Sequence, residues 1–148
     1  MSKNTISRRE AREFLLGLLF ESEFRKDEDY IAIYATSAEE RLIPEDSYIK
    51  KAYYTIFENI EEIDGRIGES AKGWRVDRLS KMSRSLLRLG AYEMLYEENI
   101  PFTVTINEVL ELTKAYDDPK AKAFINGVLN GVKDAAIASG VEKQECKK

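Results

Sequence analysis

Apolar residues recur every three or four positions along nearly the whole chain, and no stretch alternates apolar and polar residues with a period of two. The three-to-four spacing places apolar side chains on one face of an α-helix, whereas strict alternation would indicate strands. The pattern therefore predicts an all-α fold of six or seven helices. The clearest apolar stripe follows Pro44 and consists of Ile49, Ala52, Tyr53, Ile56, Phe57, Ile60, Ile63 and Ile67.

Residues that favour helix ends divide this pattern into elements. Ser7 followed by Glu10 has the spacing of a capping box and predicts that the first helix begins there. Thr105 with Glu108 has the same spacing, while Pro44 and Pro119 suit the first position of a helix. These signals predict a short turn at 76–80 and helices at about 7–24, 28–40, 44–67, 83–97, 105–116 and 119–139.

The predicted helices form one compact domain, 1–148, made of two small bundles. Gly65, Gly68 and Gly73 weaken helix propensity around residue 70 and mark a connection between two halves. The N-terminal half covers about 5–70 with three helices, and the C-terminal half covers about 74–139 with four. Residues 140–148, including the single cysteine Cys146, are expected to form a mobile tail.

The composition excludes several classes of function. Histidine is absent and one cysteine is present, so the chain lacks the usual ligands of zinc and the usual base of a nucleophilic triad. The acidic residues are scattered among lysines and arginines as on solvated helix faces, and no glycine-rich phosphate loop occurs. We therefore expect no enzyme, no catalytic residues, no metal and no cofactor. No apolar run spans a bilayer and no signal peptide is recognisable, which predicts a cytoplasmic protein.

Two basic stretches stand out in a chain of net charge −4. In the first, Arg8, Arg9 and Arg12 fall within about a quarter of the circumference of one helix, which predicts an outward-facing cluster. Guanidinium groups match phosphate oxygens and stack on unpaired bases, so the cluster predicts an RNA site. The alternative is a solvated helix end whose arginines pair with acids. For the second stretch, residues 72–88, an ordinary exposed helix face is the stronger interpretation.

Five segments occur in this order along the chain: Arg-Arg-Glu-Ala-Arg-Glu at 8–13, Leu-Arg-Leu-Gly-Ala-Tyr-Glu-Met at 87–94, Ile-Pro at 100–101, Ile-Asn-Glu-Val-Leu-Glu-Leu-Thr-Lys at 106–114 and Phe-Ile-Asn-Gly-Val-Leu at 124–129. In this order they resemble the NusB family of transcription antitermination factors, and the resemblance spans nearly the whole chain. The Asn-Glu and Phe-x-Asn-Gly-Val-Leu segments are the most specific of them.

This resemblance implies an all-helical fold of two bundles and a non-catalytic RNA-binding factor. It implies that the protein pairs with the ribosomal protein NusE, binds boxA single-stranded RNA of ribosomal RNA leaders, and joins the antitermination complex of RNA polymerase. The family's RNA contact maps onto Arg8, Arg9 and Arg12. Its NusE contact maps onto Phe124 and, on the first helix, Phe20.

Two residues depart from the family pattern. Many relatives have a third consecutive arginine where this chain has Glu10, and an acid near the position of Lys120. The first departure predicts weaker RNA binding without NusE. Two other functions stay open at the level of sequence: a helical protein-protein adaptor, and a NusB-like RNA-binding module of a ribosomal RNA methyltransferase system. A homodimer also stays open, because members of the family differ in oligomeric state.

Overall fold

The computed structural model describes residues 6–143, which fold into seven α-helices and one short 3-10 helix. The predicted all-α fold is therefore confirmed. No helix in this range is long and apolar enough to cross a membrane. The α-helices are α1 (Arg8–Ser22), α2 (Tyr30–Arg41), α3 (Ile49–Glu58), α4 (Ile60–Ser70), α5 (Lys81–Tyr96), α6 (Phe102–Tyr116) and α7 (Ala121–Ala138), and the 3-10 helix is Val76–Arg78.

The contacts between helices divide the chain into two units. Unit 1 is Met1–Glu58 and unit 2 is Asn59–Lys148. In unit 1 the three helices α1, α2 and α3 pack against one another. In unit 2, α5 packs against α4, α6 and α7, and α7 also packs against α4 and α6. Each unit thus buries the apolar stripes of its own helices.

The long helix predicted after Pro44 is two helices. Asn59 leaves helical geometry, with φ −125° and ψ 30°, and separates α3 from α4. Because α4 packs against α5 and α7, it belongs to unit 2 and not to the N-terminal half that was expected to extend to residue 70. The apolar stripe runs through both helices, and its spacing does not show which helices each part packs against. Pro44 itself precedes α3, and the Asp46 carboxylate accepts the backbone N–H groups of Tyr48 and Ile49 at 2.9 and 3.3 Å.

The capping predictions have different outcomes. The first is confirmed, because Ser7 Oγ accepts the Glu10 N–H at 3.0 Å and Glu10 Oε1 accepts the Ser7 N–H at 2.9 Å. The second is wrong, because α6 already begins at Phe102 and the hydroxyl of the buried Thr105 donates a hydrogen bond to Glu93 at 2.7 Å. The same Thr-x-x-Glu spacing also occurs inside helices, so spacing alone does not locate a helix end.

In unit 1, polar contacts fix α1 against its neighbours. The fully buried Tyr53 of α3 shares a hydrogen bond of 2.9 Å with Ser22 of α1, and burial raises the pKa of Tyr53 to about 12. From α2, Ser37 Oγ and Arg41 Nη2 each contact Glu21 Oε1 of α1 at 2.9 Å. Since α1 carries the arginine cluster, these contacts position that cluster relative to α2 and α3.

In unit 2, Gly90 allows α5 to approach α6 and α7 closely. A Cβ atom at this position would lie 2.8 Å from Leu129 Cδ2 and 3.3 Å from Val109 Cγ2. Both neighbours are buried side chains, with 0% of each residue accessible. The glycine is therefore a packing requirement of this bundle.

The start of the predicted mobile tail has defined contacts. Lys143 Nζ donates to the backbone carbonyl of Glu93 at 2.6 Å and lies 4.7 Å from the centroid of the Phe102 ring. The rest of the tail, with Cys146, lies outside the described residues.

Candidate nucleic-acid and partner interfaces

Two arginines lie between the two capping-box residues, at the exposed start of α1. Arg8 and Arg9 are both exposed. The Cζ atom of Arg8 lies 4.6 Å from the centroid of the Tyr48 ring, in a cation-π contact with the residue that precedes α3. This contact restricts where the Arg8 guanidinium can lie. The first turn of α1 therefore presents two positive charges with at least one of them partly oriented.

Arg12 does not share this exposure. Its side chain is buried, with 3% of the residue accessible, so the predicted outward orientation of all three arginines is wrong for Arg12. The physical reason is its helical position, because Leu15, Leu16 and Leu19 follow at three, four and seven residues and share its face. The spacing in the sequence already contained this signal. The candidate RNA site consequently rests on Arg8 and Arg9.

Arg84 shows that the second basic stretch, residues 72–88, serves the fold in part. Its guanidinium is buried and its Nη1 donates to the backbone carbonyls of Val76 and Leu79, at 3.0 Å each. These carbonyls belong to the 3-10 turn and to the residue that follows it. Arg84 thus fastens the turn to the start of α5.

Two further arginines of this stretch are also engaged. Arg88 makes a two-pronged contact with Asp64 of α4 at 2.9 and 2.8 Å. Arg75 contacts Asp77 at 2.9 Å in an exposed ion pair. Together with the burial of Arg84, these pairs remove the continuous basic face, and they favour the structural interpretation of this stretch.

Phe20, the first residue mapped to a protein contact, lies half-buried near the end of α1. Its ring meets that of Phe24 edge to face at 5.1 Å, and Phe24 is 63% exposed. Sequence reasoning missed Phe24. Unit 1 therefore presents a pair of aromatic rings at the end of α1.

Phe124, the second mapped residue, also has an exposed aromatic neighbour. It is half-buried near the start of α7, and its ring meets that of Trp74 at 5.9 Å. Trp74 is 58% exposed. The two rings border two depressions in unit 2, one of about 650 Å³ beside α4 and one of about 370 Å³ beside the start of α5. Sequence reasoning missed Trp74, although a tryptophan in a glycine-rich connection belongs to no helical stripe.

The two glycines of α7 have different surroundings. A Cβ at Gly131 would lie 2.8 Å from Ser70 Cβ, so this residue permits close packing of α4 and α7. A Cβ at Gly127 would meet nothing within 4 Å, and the residue borders the larger depression. Close packing explains Gly131 only.

Among residues 6–143, no group of three or more cysteine or carboxylate side chains is arranged to hold a metal ion. The chemistry of the described surface is that of charged and aromatic contacts.

The fold and these surfaces define a small all-helical binding protein. The sequence model of the NusB family matches residues 9–134. The transcription antitermination protein NusB of Acetivibrio thermocellus is 39% identical over 135 residues, which are 90% of this chain and 93% of the relative. The chain belongs to the NusB family, as the sequence motifs predicted.

Solved structures give the same result. T. maritima NusB is 34% identical with a TM-score of 0.78, and the match covers 88% of this chain and 92% of that one. A crystal structure of the antitermination factors NusB and NusE in complex with dsRNA contains a chain that is 30% identical with a TM-score of 0.76. That match covers 86% of this chain and 96% of the other. The relatives are thus named for a role in transcription.

Proposed function

We propose that the protein is a non-catalytic, cytoplasmic transcription antitermination factor that binds boxA RNA of ribosomal RNA leaders together with NusE and helps RNA polymerase resist termination. Membership of the NusB family supports the role, and the solved relative with NusE and dsRNA supports the two binding partners. The observation that carries the RNA part for this chain is the exposed pair Arg8 and Arg9 at the start of α1.

The position of these arginines favours a binding role over a stabilising one. Positive charge at a helix N-terminus opposes the helix dipole, by roughly 0.3 to 1 kcal/mol per group. An anion bound there would instead be favoured by the dipole and by the guanidinium donors. Glu10 keeps its negative charge beside the arginines, while one of its carboxylate oxygens accepts the Ser7 N–H. Glu10, which departs from the family pattern, is therefore part of the cap of α1.

Four binding measurements test the proposed function: boxA RNA and scrambled RNA, each with and without NusE. We expect the tightest binding for boxA RNA with NusE, because phosphate contacts from α1 position the strand while base contacts specify its sequence. The two phosphates neutralised by Arg8 and Arg9 contribute about −1.4 to the log-log salt slope. Equal affinity in all four measurements would contradict the proposal.

The aromatic pairs are the proposed NusE contacts: Phe124 with Trp74 in unit 2, and Phe20 with Phe24 in unit 1. Changing Trp74 or Phe124 to alanine is expected to weaken NusE binding by about 2 kcal/mol or more, because exposed aromatic anchors dominate protein interfaces. Titration calorimetry with purified NusE measures the change.

Tyr116→Ala is the matched control for this prediction. Tyr116 is 50% exposed and lies in the same unit, at the end of α6. The Tyr116→Ala substitution should leave NusE affinity unchanged. The NusE contact would lie elsewhere if Trp74→Ala and Tyr116→Ala lost the same NusE affinity. It would also lie elsewhere if neither Trp74→Ala nor Phe124→Ala lost any.

A further inference from the structure

A second cationic and aromatic surface lies between α2 and α3 of unit 1. The rings of Tyr34 and Tyr54 meet edge to face at 5.8 Å, and Lys50 Nζ lies 5.9 and 5.6 Å from their respective centroids. Both rings are half-buried, while Lys50 is exposed. We call Tyr34, Lys50 and Tyr54 the tyrosine platform.

Further aromatic rings of unit 1 pack against the platform. Tyr30 meets Tyr54 edge to face at 5.6 Å and stacks on Phe57 at 5.4 Å with an interplanar angle of 11°. Tyr53, fully buried, lies 5.7 Å from Tyr34. The rings of the platform are thus held in place before any ligand arrives, which reduces the entropy lost on binding.

A depression of about 420 Å³ adjoins the platform and is lined by Tyr34, Lys50, Glu45 and Asp46 among others. This volume exceeds that of a nucleobase. The Asp46 carboxylate is engaged by the backbone N–H groups at the start of α3. Glu45 is exposed, and its carboxylate would repel a phosphate but accept a hydrogen bond from the amino group of a base. The charges therefore suit a base in the depression and a phosphate at Lys50.

Arg8 of α1 contacts the start of α3, the helix that carries Lys50 and Tyr54 of the platform. Arg8 contacts Tyr48, whose carbonyl accepts the Ala52 N–H and so belongs to the spiral of α3. At 100° per residue, Lys51 lies 60° around the helix from Tyr48, and Tyr54 lies 60° further in the same direction. The row from the buried Tyr48 through the exposed Lys51 to the half-buried Tyr54 advances about 9 Å along the axis of α3.

We propose that the tyrosine platform is a second RNA contact, which takes an unpaired base on its rings and a neighbouring phosphate on Lys50. The proposal rests on the proposed function, because it extends the strand held at Arg8 and Arg9. Single-stranded RNA is bound by this combination of aromatic faces and cations. An apolar protein partner is less suited, because it would bury the charge of Lys50 without an opposite charge beside it. The lysines at the start of α3 also oppose its dipole, as the arginines of α1 do.

Lys50→Ala and Tyr54→Leu in the full chain test the platform, with affinity for boxA RNA measured over a range of salt concentrations. Tyr54→Leu should weaken binding about fivefold or more without changing the salt slope, because stacking is lost but no charge is. Lys50→Ala should reduce the magnitude of the slope by about 0.7, because one phosphate contact is lost. Tyr54→Phe, which keeps the ring, should restore affinity.

Two matched controls lie in unit 2. Tyr116→Leu and Lys114→Ala change an exposed tyrosine and an exposed lysine on α6, and both should bind RNA as the unchanged protein does. The platform is rejected if Tyr54→Leu and Lys50→Ala bind like these controls while Arg8→Ala with Arg9→Ala still loses binding. If the arginine variant also retains affinity, the proposed function itself fails. Should Tyr54→Leu not fold, the salt slope of Lys50→Ala, an exposed position, decides alone.

Discussion

Replacing Arg8 and Arg9 together with alanine is expected to weaken RNA binding about a hundredfold while leaving the melting temperature nearly unchanged. Each charge-assisted hydrogen bond to phosphate contributes roughly 1.5 kcal/mol or more, so two lost contacts correspond to about two orders of magnitude in affinity. Stability changes little, because losing the contact of Arg8 with Tyr48 removes about 0.5 to 1 kcal/mol while removing two charges that oppose the helix dipole restores a similar amount. Fluorescence anisotropy and thermal unfolding measure the two effects.

Arg75→Ala is the control for this double variant. Arg75 is an exposed arginine paired with Asp77, in the basic stretch that the structure assigns largely to the fold. We expect it to bind RNA normally. The magnitude of the salt slope should fall by about 1.4 in the double variant and stay unchanged in Arg75→Ala. Equal losses in the two proteins would mean that general charge, and not the start of α1, attracts the RNA.

The largest effect on folding is expected for Gly90→Ala, a loss of about 2 to 3 kcal/mol in the free energy of unfolding. The added methyl group would lie 2.8 Å from Leu129 Cδ2, inside the contact of α5 with α7. Overpacking of this kind typically costs about 1 to 3 kcal/mol, because buried neighbours must leave their preferred rotamers. For a chain of this length the melting temperature should fall by roughly 5 to 10 °C.

Gly127→Ala provides the comparison, because it makes the same change in a helix without the collision. A Cβ there meets nothing within 4 Å. The variant should gain up to about 1 kcal/mol from the better helix propensity of alanine. Unfolding by denaturant measures both variants. If Gly90→Ala were as stable as Gly127→Ala, the close approach of α5 to Leu129 would be disproved.

Sequence periodicity and capping chemistry predicted the helices well where local interactions decide. The Ser7 and Glu10 box begins α1 as expected, because both hydrogen bonds lie within four residues. The division at Asn59 was not predictable in this way. The apolar stripe is continuous across it, and only the packing of α4 on α5 and α7 assigns α4 to unit 2.

For the candidate sites, the sequence identified residue types better than their environments. Arg8 and Arg12 look alike as members of one cluster, yet one is exposed and the other buried, because Arg12 lies on the face shared with Leu16. The Trp74 and Phe124 pair joins residues fifty positions apart, and no local pattern reports such a contact. The family motifs identified Phe124, but only the three-dimensional structure shows that Trp74 contacts it.

The division of the chain at Glu58 has a consequence for synthesis. The contacts among α1, α2 and α3 all close within the first 58 residues. A ribosome therefore synthesises every residue needed for these contacts before it begins α5, α6 or α7. Since a nascent chain emerges at about 5 to 20 residues per second and such local loops close far faster, unit 1 has seconds in which to collapse while the rest is still being translated.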